Sequence, residues 1–164
     1  MKPEIQQKIS EFIDGQRAEM LALWQEVVNM ESGSRHKPGI DAVAGRFQAV
    51  LNETGAVTRI VEMEKAGNML IGEVASSQTN PPVLFMGHMD TVFPVGTVEK
   101  RPFTIKDGTA YGPGVLDMKG GIVAALYAIK ALKAIGYDAR PLKVILAGDE
   151  EIAHANSNAA DVFM

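Results

Sequence analysis

Cysteine is missing from all 164 residues. Its absence excludes disulfides, thiolate metal ligands and a thiol nucleophile, so any metal must be held by His, Asp or Glu. A basic excess is lacking too: the net charge is −4 and the isoelectric point about 5.4. Nothing in that balance provides the cationic surface that phosphate backbones demand, and nucleic acid is not an expected partner. No stretch reaches the ~18 consecutive apolar residues of a membrane helix. The first twenty residues are polar and charged where a secretory leader needs an apolar core, so a soluble cytoplasmic protein is expected. What the chain does have is 46% hydrophobic residues, enough for a real core in a domain of ordinary size.

The apolar pattern divides the chain. Ile5, Ile9, Phe12, Ile13, Met20, Leu23, Trp24, Val27 and Val28 recur at helical spacing, with Gly15 splitting or kinking the run. A loop through Ser32, Gly33, Ser34 and Pro38 precedes a second amphipathic helix carrying Ile40, Val43, Ala44, Phe47, Val50 and Leu51, closed by Gly55. The period then changes to strands at 56–62, 68–74 and 82–87, the last apolar throughout, as a strand covered on both faces would be. Phe103–Ile105 and Thr109–Tyr111 flank Lys106, Asp107 and Gly108, a hairpin signal. Residues 120–135 are helical in pattern, and 142–147 form another buried-type strand. Helices alternating with buried strands predict one layered α/β domain without repeats or linker.

Three segments carry chemistry, each at the end of a predicted strand or hairpin, where ligands collect in open α/β sheets. His88 follows the strand ending at Gly87, and Asp90 lies two residues on. A neutral imidazole suits zinc, and a nearby carboxylate can fix its tautomer; a solvent-exposed turn is the alternative. Asp117 sits among Gly112, Pro113, Gly114, Gly120 and Gly121 before a helix. The glycine spacing fits neither a P-loop nor a dinucleotide fingerprint, which leaves Asp117 as a helix N-cap or a metal ligand. Asp149, Glu150 and Glu151 follow an apolar strand, where three anions are costly unless a cation or solvent offsets them. One of the glutamates could bind metal while its neighbour accepts a proton. A separate bland explanation exists for each segment, whereas a single site accounts for all three.

GHMDTVFPVGT at 87–97, RPF at 101–103, AYGPGVLDMKGG at 110–121 and GDEE at 148–151 together resemble a known family. It is that of the dinuclear zinc metallopeptidases, which includes glutamate carboxypeptidase, aminoacylase, acetylornithine deacetylase and succinyl-diaminopimelate desuccinylase. The likeness runs over roughly 15–153 and is strongest to the glutamate carboxypeptidase branch. It implies an α/β/α catalytic domain with a mixed, mainly parallel sheet. Its metal ligands would be His88, Asp117 bridging two ions, and Glu151. Asp90 would steady His88 and Glu150 would be the general base, with a cis peptide after Asp117. The implied cofactor is zinc, two ions per complete site, with cobalt or manganese as substitutes. The implied reaction is hydrolysis of a peptide or N-acyl amide bond next to a C-terminal amino-acid carboxylate, on a small peptide or N-acyl amino acid.

Such a site needs about five ligands, and the motifs here offer three. A further acidic ligand, a later His and the lid or dimerisation domain are expected beyond Met164, so residues 1–164 are taken as a C-terminally truncated catalytic domain. His154 lies outside any matching motif and is not counted as a ligand. The partners expected are the substrate and either a second copy or a complementing C-terminal half. The alternative function is a non-catalytic α/β module that folds or self-associates and binds metal weakly.

Overall fold

The computed structural model describes residues 2–155. The N-terminal apolar run forms α1 (Pro3–Gly15) and α2 (Arg17–Val28), divided where Gly15 was expected to interrupt it. Only α2 contributes fully buried residues, Leu23, Val27 and Val28. Next, α3 (Lys37–Glu53) buries the predicted stripe of Ile40, Val43, Ala44, Phe47, Val50 and Leu51. Pro38 belongs to its first turn and not to the loop, because a missing N–H costs nothing there. Gly55, at φ +76°, ends α3 in the left-handed conformation that glycine adopts without penalty.

The strands are β1 (Val57–Val61), β2 (Gly67–Val74) and β3 (Val83–His88), followed by the short helix α4 (Thr97–Lys100). The hairpin strands β4 (Thr104–Lys106) and β5 (Thr109–Tyr111) then turn through Asp107 and Gly108, both at positive φ as a two-residue hairpin requires. Helix α5 (Gly120–Ala134) and strand β6 (Leu142–Gly148) follow, and a single helical turn over Glu150–Ile152 comes after them. Among the described residues no helix is long and apolar enough to cross a membrane.

The main sheet runs β1-β2-β6-β3. It is mixed, as expected, but not mainly parallel: β1–β2 and β2–β6 are antiparallel, and only β3–β6 is parallel. The 62–66 connection is too short for a crossover, so β1 and β2 must pair as a hairpin, whereas α5 supplies the crossover that parallel β3 and β6 need. Leu70, Val74, Leu142, Val144 and Leu146 pack with α2, α3 and α5 in one core. On the opposite face Met69, Ile145 and Ala147 form a smaller cluster that includes no helix residue. Of the three expected layers, the described residues thus form two, the sheet and one helical layer.

β6 lies inside the sheet and is buried nearly throughout. β3 is outermost, and Leu84 and Met86 are 46% and 55% exposed, which corrects the expectation of a strand covered on both faces. An apolar run states what a strand can bury and is silent on its place in the sheet. The pairing has one direct consequence for chemistry. With β3 and β6 parallel and His88 opposite Ala147, the loops leaving both strands emerge side by side.

Candidate metal centre

His88 is the last residue of β3 and is almost completely buried. Its Nδ1 lies 3.3 Å from Asp90 Oδ1 and 3.2 Å from the Asp90 carbonyl oxygen. Its Nε2 lies 3.0 Å from Asp117 Oδ1 and 3.8 Å from Glu150 Oε2. Burial by itself would push the imidazole pKa down. The hydrogen bond and charge of Asp90, with Asp117 and Glu150, overcome it and raise His88 to about 9.

Asp90 is the hub. It has no exposed surface, and each carboxylate oxygen meets two donors. Oδ1 faces His88 Nδ1 and accepts the Glu150 N–H at 3.1 Å, while Oδ2 accepts the Ser34 hydroxyl at 2.6 Å and the Glu151 N–H at 3.1 Å. Burial opposes ionisation of Asp90, yet the contacts with His88, Ser34 and the two backbone amides hold its pKa below the usual carboxylate value. A short bridge sets the serine: Thr91 N donates to Ser32 O, and Ser34 N donates to Thr91 O.

Asp117 sits on an irregular turn over Val115–Lys119, with a cis Asp117–Met118 peptide, the form the resemblance implied. The N-cap alternative is not what the fold adopts. Lys119 occupies the cap position of α5 and makes no side-chain cap bond, while Asp117 turns its carboxylate to His88. Gly114, at φ +70°, lets the turn pass close to Thr91, since a Cβ there would lie 2.5 Å from Thr91 Cγ2. Lys119 is fully buried, and its Nζ donates to the carbonyls of Val27 at 2.7 Å and Met30 at 2.8 Å, tying the turn to the end of α2. Desolvation lowers this amine to about 8, against the opposing pull of Glu31. Trp24 Nε1 adds a bond to Val115 O at 3.1 Å.

The acidic triplet divides. Asp149 is buried, with His154 Nδ1 3.1 Å from its Oδ1. Glu150 stays half exposed in a single helical turn, Glu150–Ile152. Glu151 presents an oxygen such that His88, Asp117 and Glu151 each offer an atom within 4.8 Å of the others. Burial raises the pKa of Glu151, and the charges of Asp117, Asp90 and Glu150 add to the rise against the opposing pull of His88. One imidazole and two carboxylates converge with an unneutralised negative charge, a donor set that fits zinc or a similar divalent ion. Ser34 and Lys119 were not singled out from sequence. A serine in a loop and a lysine in a Gly-rich turn carry no periodic signal, and their partners lie 56 and 89 to 92 residues away.

One imidazole and two carboxylates thus meet at the ends of the adjacent strands β3 and β6 and at the turn before α5. The chain matches Peptidase family M20/M25/M40 over residues 84–163. It is 35% identical over 130 residues to carboxypeptidase G2 of Pseudomonas sp. (strain RS-16), a match covering 77% of this chain and 31% of that protein. It is also 35% identical over 119 residues to a succinyl-diaminopimelate desuccinylase of Pseudoalteromonas atlantica, covering 69% and 30%. The chain thus spans about a third of the length of these relatives. Human carnosine dipeptidase 1 superposes with a TM-score of 0.80 at 24% identity, covering 94% of this chain and 37% of that one, a likeness of fold alone. The M20 metallo-carboxypeptidase Sso-CP2 of Sulfolobus solfataricus gives 0.73 at 25% identity, covering 84% and 32%.

Proposed function

We propose that this chain carries part of the catalytic centre of a metal-dependent hydrolase acting on a peptide or N-acyl amide bond beside a C-terminal amino-acid carboxylate. The observation that carries the proposal is the convergence of His88, Asp117 and Glu151. Carboxypeptidase G2 among the relatives supports the choice of bond. His88 Nε2, Asp117 and Glu151 would hold the ion, zinc by family resemblance. When bound, the cation supplies Lewis acidity and makes a water at the site easier to deprotonate. Asp90 holds the imidazole through Nδ1 and leaves Nε2 directed at the cluster. Glu150, half exposed, with its backbone N–H on Asp90 and its Oε2 3.8 Å from His88 Nε2, is the proton acceptor and then the donor to the leaving amine.

The test uses a polypeptide extended to the length of the relatives, with metal content and hydrolysis of an N-acyl glutamate measured together. Glu150→Gln keeps its metal and loses ~10²–10⁴ in turnover, the usual scale for a lost general base. Glu151→Gln loses metal occupancy instead. Exchanged effects would overturn the assignment of roles. The second reading, a non-catalytic module that binds metal weakly, draws on the three-residue donor set of the described chain and is favoured if the extended polypeptide binds metal without hydrolysing amides.

A further inference from the structure

Two serines lie buried in the same loop, two residues apart, with different surroundings. Ser32 Oγ has no hydrogen-bond partner among the described residues. Ser34 Oγ donates to Asp90 Oδ2 at 2.6 Å and lies 3.3 Å from the Thr91 carbonyl oxygen. The Ser34–Asp90 contact joins the loop after α2 to the strand end that carries His88.

We propose that Ser34 is a positioning residue of this centre: by holding Oδ2 of Asp90, its hydroxyl orients the carboxylate that sets both the His88 ring and the backbone of Glu150 and Glu151. The geometry gives the reason. Asp90 Oδ2 has two donors, the Ser34 hydroxyl and the Glu151 N–H, and Oδ1 has two others, His88 Nδ1 and the Glu150 N–H. The two backbone donors come from the turn after β6, and the serine is the contact that the loop after α2 makes with the same carboxylate. Without it Oδ2 keeps a single donor, the Glu151 N–H, and a carboxylate held less firmly about its Cβ–Cγ bond loosens the proton acceptor, a ligand and the imidazole together. The loop is itself fixed, since Ser34 N is bonded to Thr91 O and a Cβ on Gly33 would meet the Phe93 carbonyl oxygen at 2.3 Å. The hydroxyl therefore has a set origin as well as a set target.

That this network serves a metal centre rests on the function proposed above, whereas the Ser34 link itself does not, and the experiment separates the two. Amide hydrogen exchange of the metal-free 164-residue chain is compared for Ser34→Ala, Ser34→Thr and Ser32→Ala, and cobalt binding is titrated by its visible absorption. In Ser34→Ala the Glu150 and Glu151 amides exchange on the order of tenfold faster while those of β6 stay protected, and cobalt binding weakens ~10-fold, the lower end for a lost outer partner of a ligand. Ser34→Thr, which keeps the hydroxyl, restores both, and Ser32→Ala changes neither. Unchanged exchange at Glu150 and Glu151 in Ser34→Ala, or an equal change in Ser32→Ala, overturns the inference. If the unsubstituted chain binds no cobalt, the metal reading fails and the exchange result still decides the role of Ser34.

Discussion

Asp90→Asn should destabilise the metal-free chain, and by an amount that depends on pH. The carboxylate is wholly buried and receives two donors on each oxygen. An amide can present an acceptor to only one of those pairs. If its NH₂ replaces Oδ2, the Ser34 hydroxyl can rotate to accept, but the Glu151 N–H then faces another donor. If it replaces Oδ1, the imidazolium must give up its Nδ1 proton to accept, and the Glu150 N–H is left facing a donor. Either way one backbone N–H loses its partner, at a cost of ~1–3 kcal/mol, and the charge-assisted bonds weaken as well. A total of roughly 2–4 kcal/mol at pH 6 is a large part of the ~5–15 kcal/mol that holds a domain together. The pH dependence follows from His88, whose pKa rises on folding from 6.5 to about 9. A raised folded-state pKa gives stability that is complete below pH 6.5 and is lost as pH climbs through 9. At ~1.4 kcal/mol per unit this amounts to roughly 3 kcal/mol, most of it owed to Asp90. Urea unfolding followed by circular dichroism, in excess chelator at pH 6, 7.5 and 9, measures both effects. The parent chain should lose stability across this range, and the Asn chain should start lower and lose less than half as much. Equal stability at pH 6, or equal slopes, would refute the hub assigned to Asp90.

The 164-residue chain should bind divalent metal weakly and below two ions per chain after dialysis, because three residues supply the converging donors; retention of two ions by a monomer would contradict this. His154→Ala should leave cobalt affinity unchanged within about twofold, since its ring is engaged with Asp149, and a tenfold loss would make it a ligand. The chain should also self-associate with rising concentration in size-exclusion chromatography with light scattering. Met86→Lys on outermost β3 should reduce that association, as a charge on an edge strand does, and a monomer at every concentration would refute the expectation.

Much of the fold was legible because its signals are local. The α3 stripe from Ile40 to Leu51, the break at Gly15 and the Asp107–Gly108 turn each follow from spacing or backbone preference within a few residues. Strand order was not legible. The apolar residues of 82–87 and 142–147 look alike in sequence, yet one strand is outermost and the other interior, a difference set by pairing between distant segments. The site shows the same division. His88, Asp90, Asp117, Glu150 and Glu151 stood out because ionisable groups beside apolar strands need a reason, and the structure brings them together. Ser34 and Lys119 stayed hidden because their importance lies entirely in distant partners, a carboxylate across the sheet end and two carbonyls at the end of α2.

Among the described residues β3 is at once the strand that ends in His88 and the outermost strand of the sheet. A cation held by the imidazole would restrain one end of this strand, and a polypeptide hydrogen-bonded along the edge away from β6 would restrain its whole length. Two ligands that favour the same ordered segment are thermodynamically linked, and each must strengthen the other by the same factor. Any metal affinity of this chain would therefore be a quantity shared with whatever pairs along β3. Titrating metal with and without such a neighbour would read the docking energy of the edge from the far end of the strand.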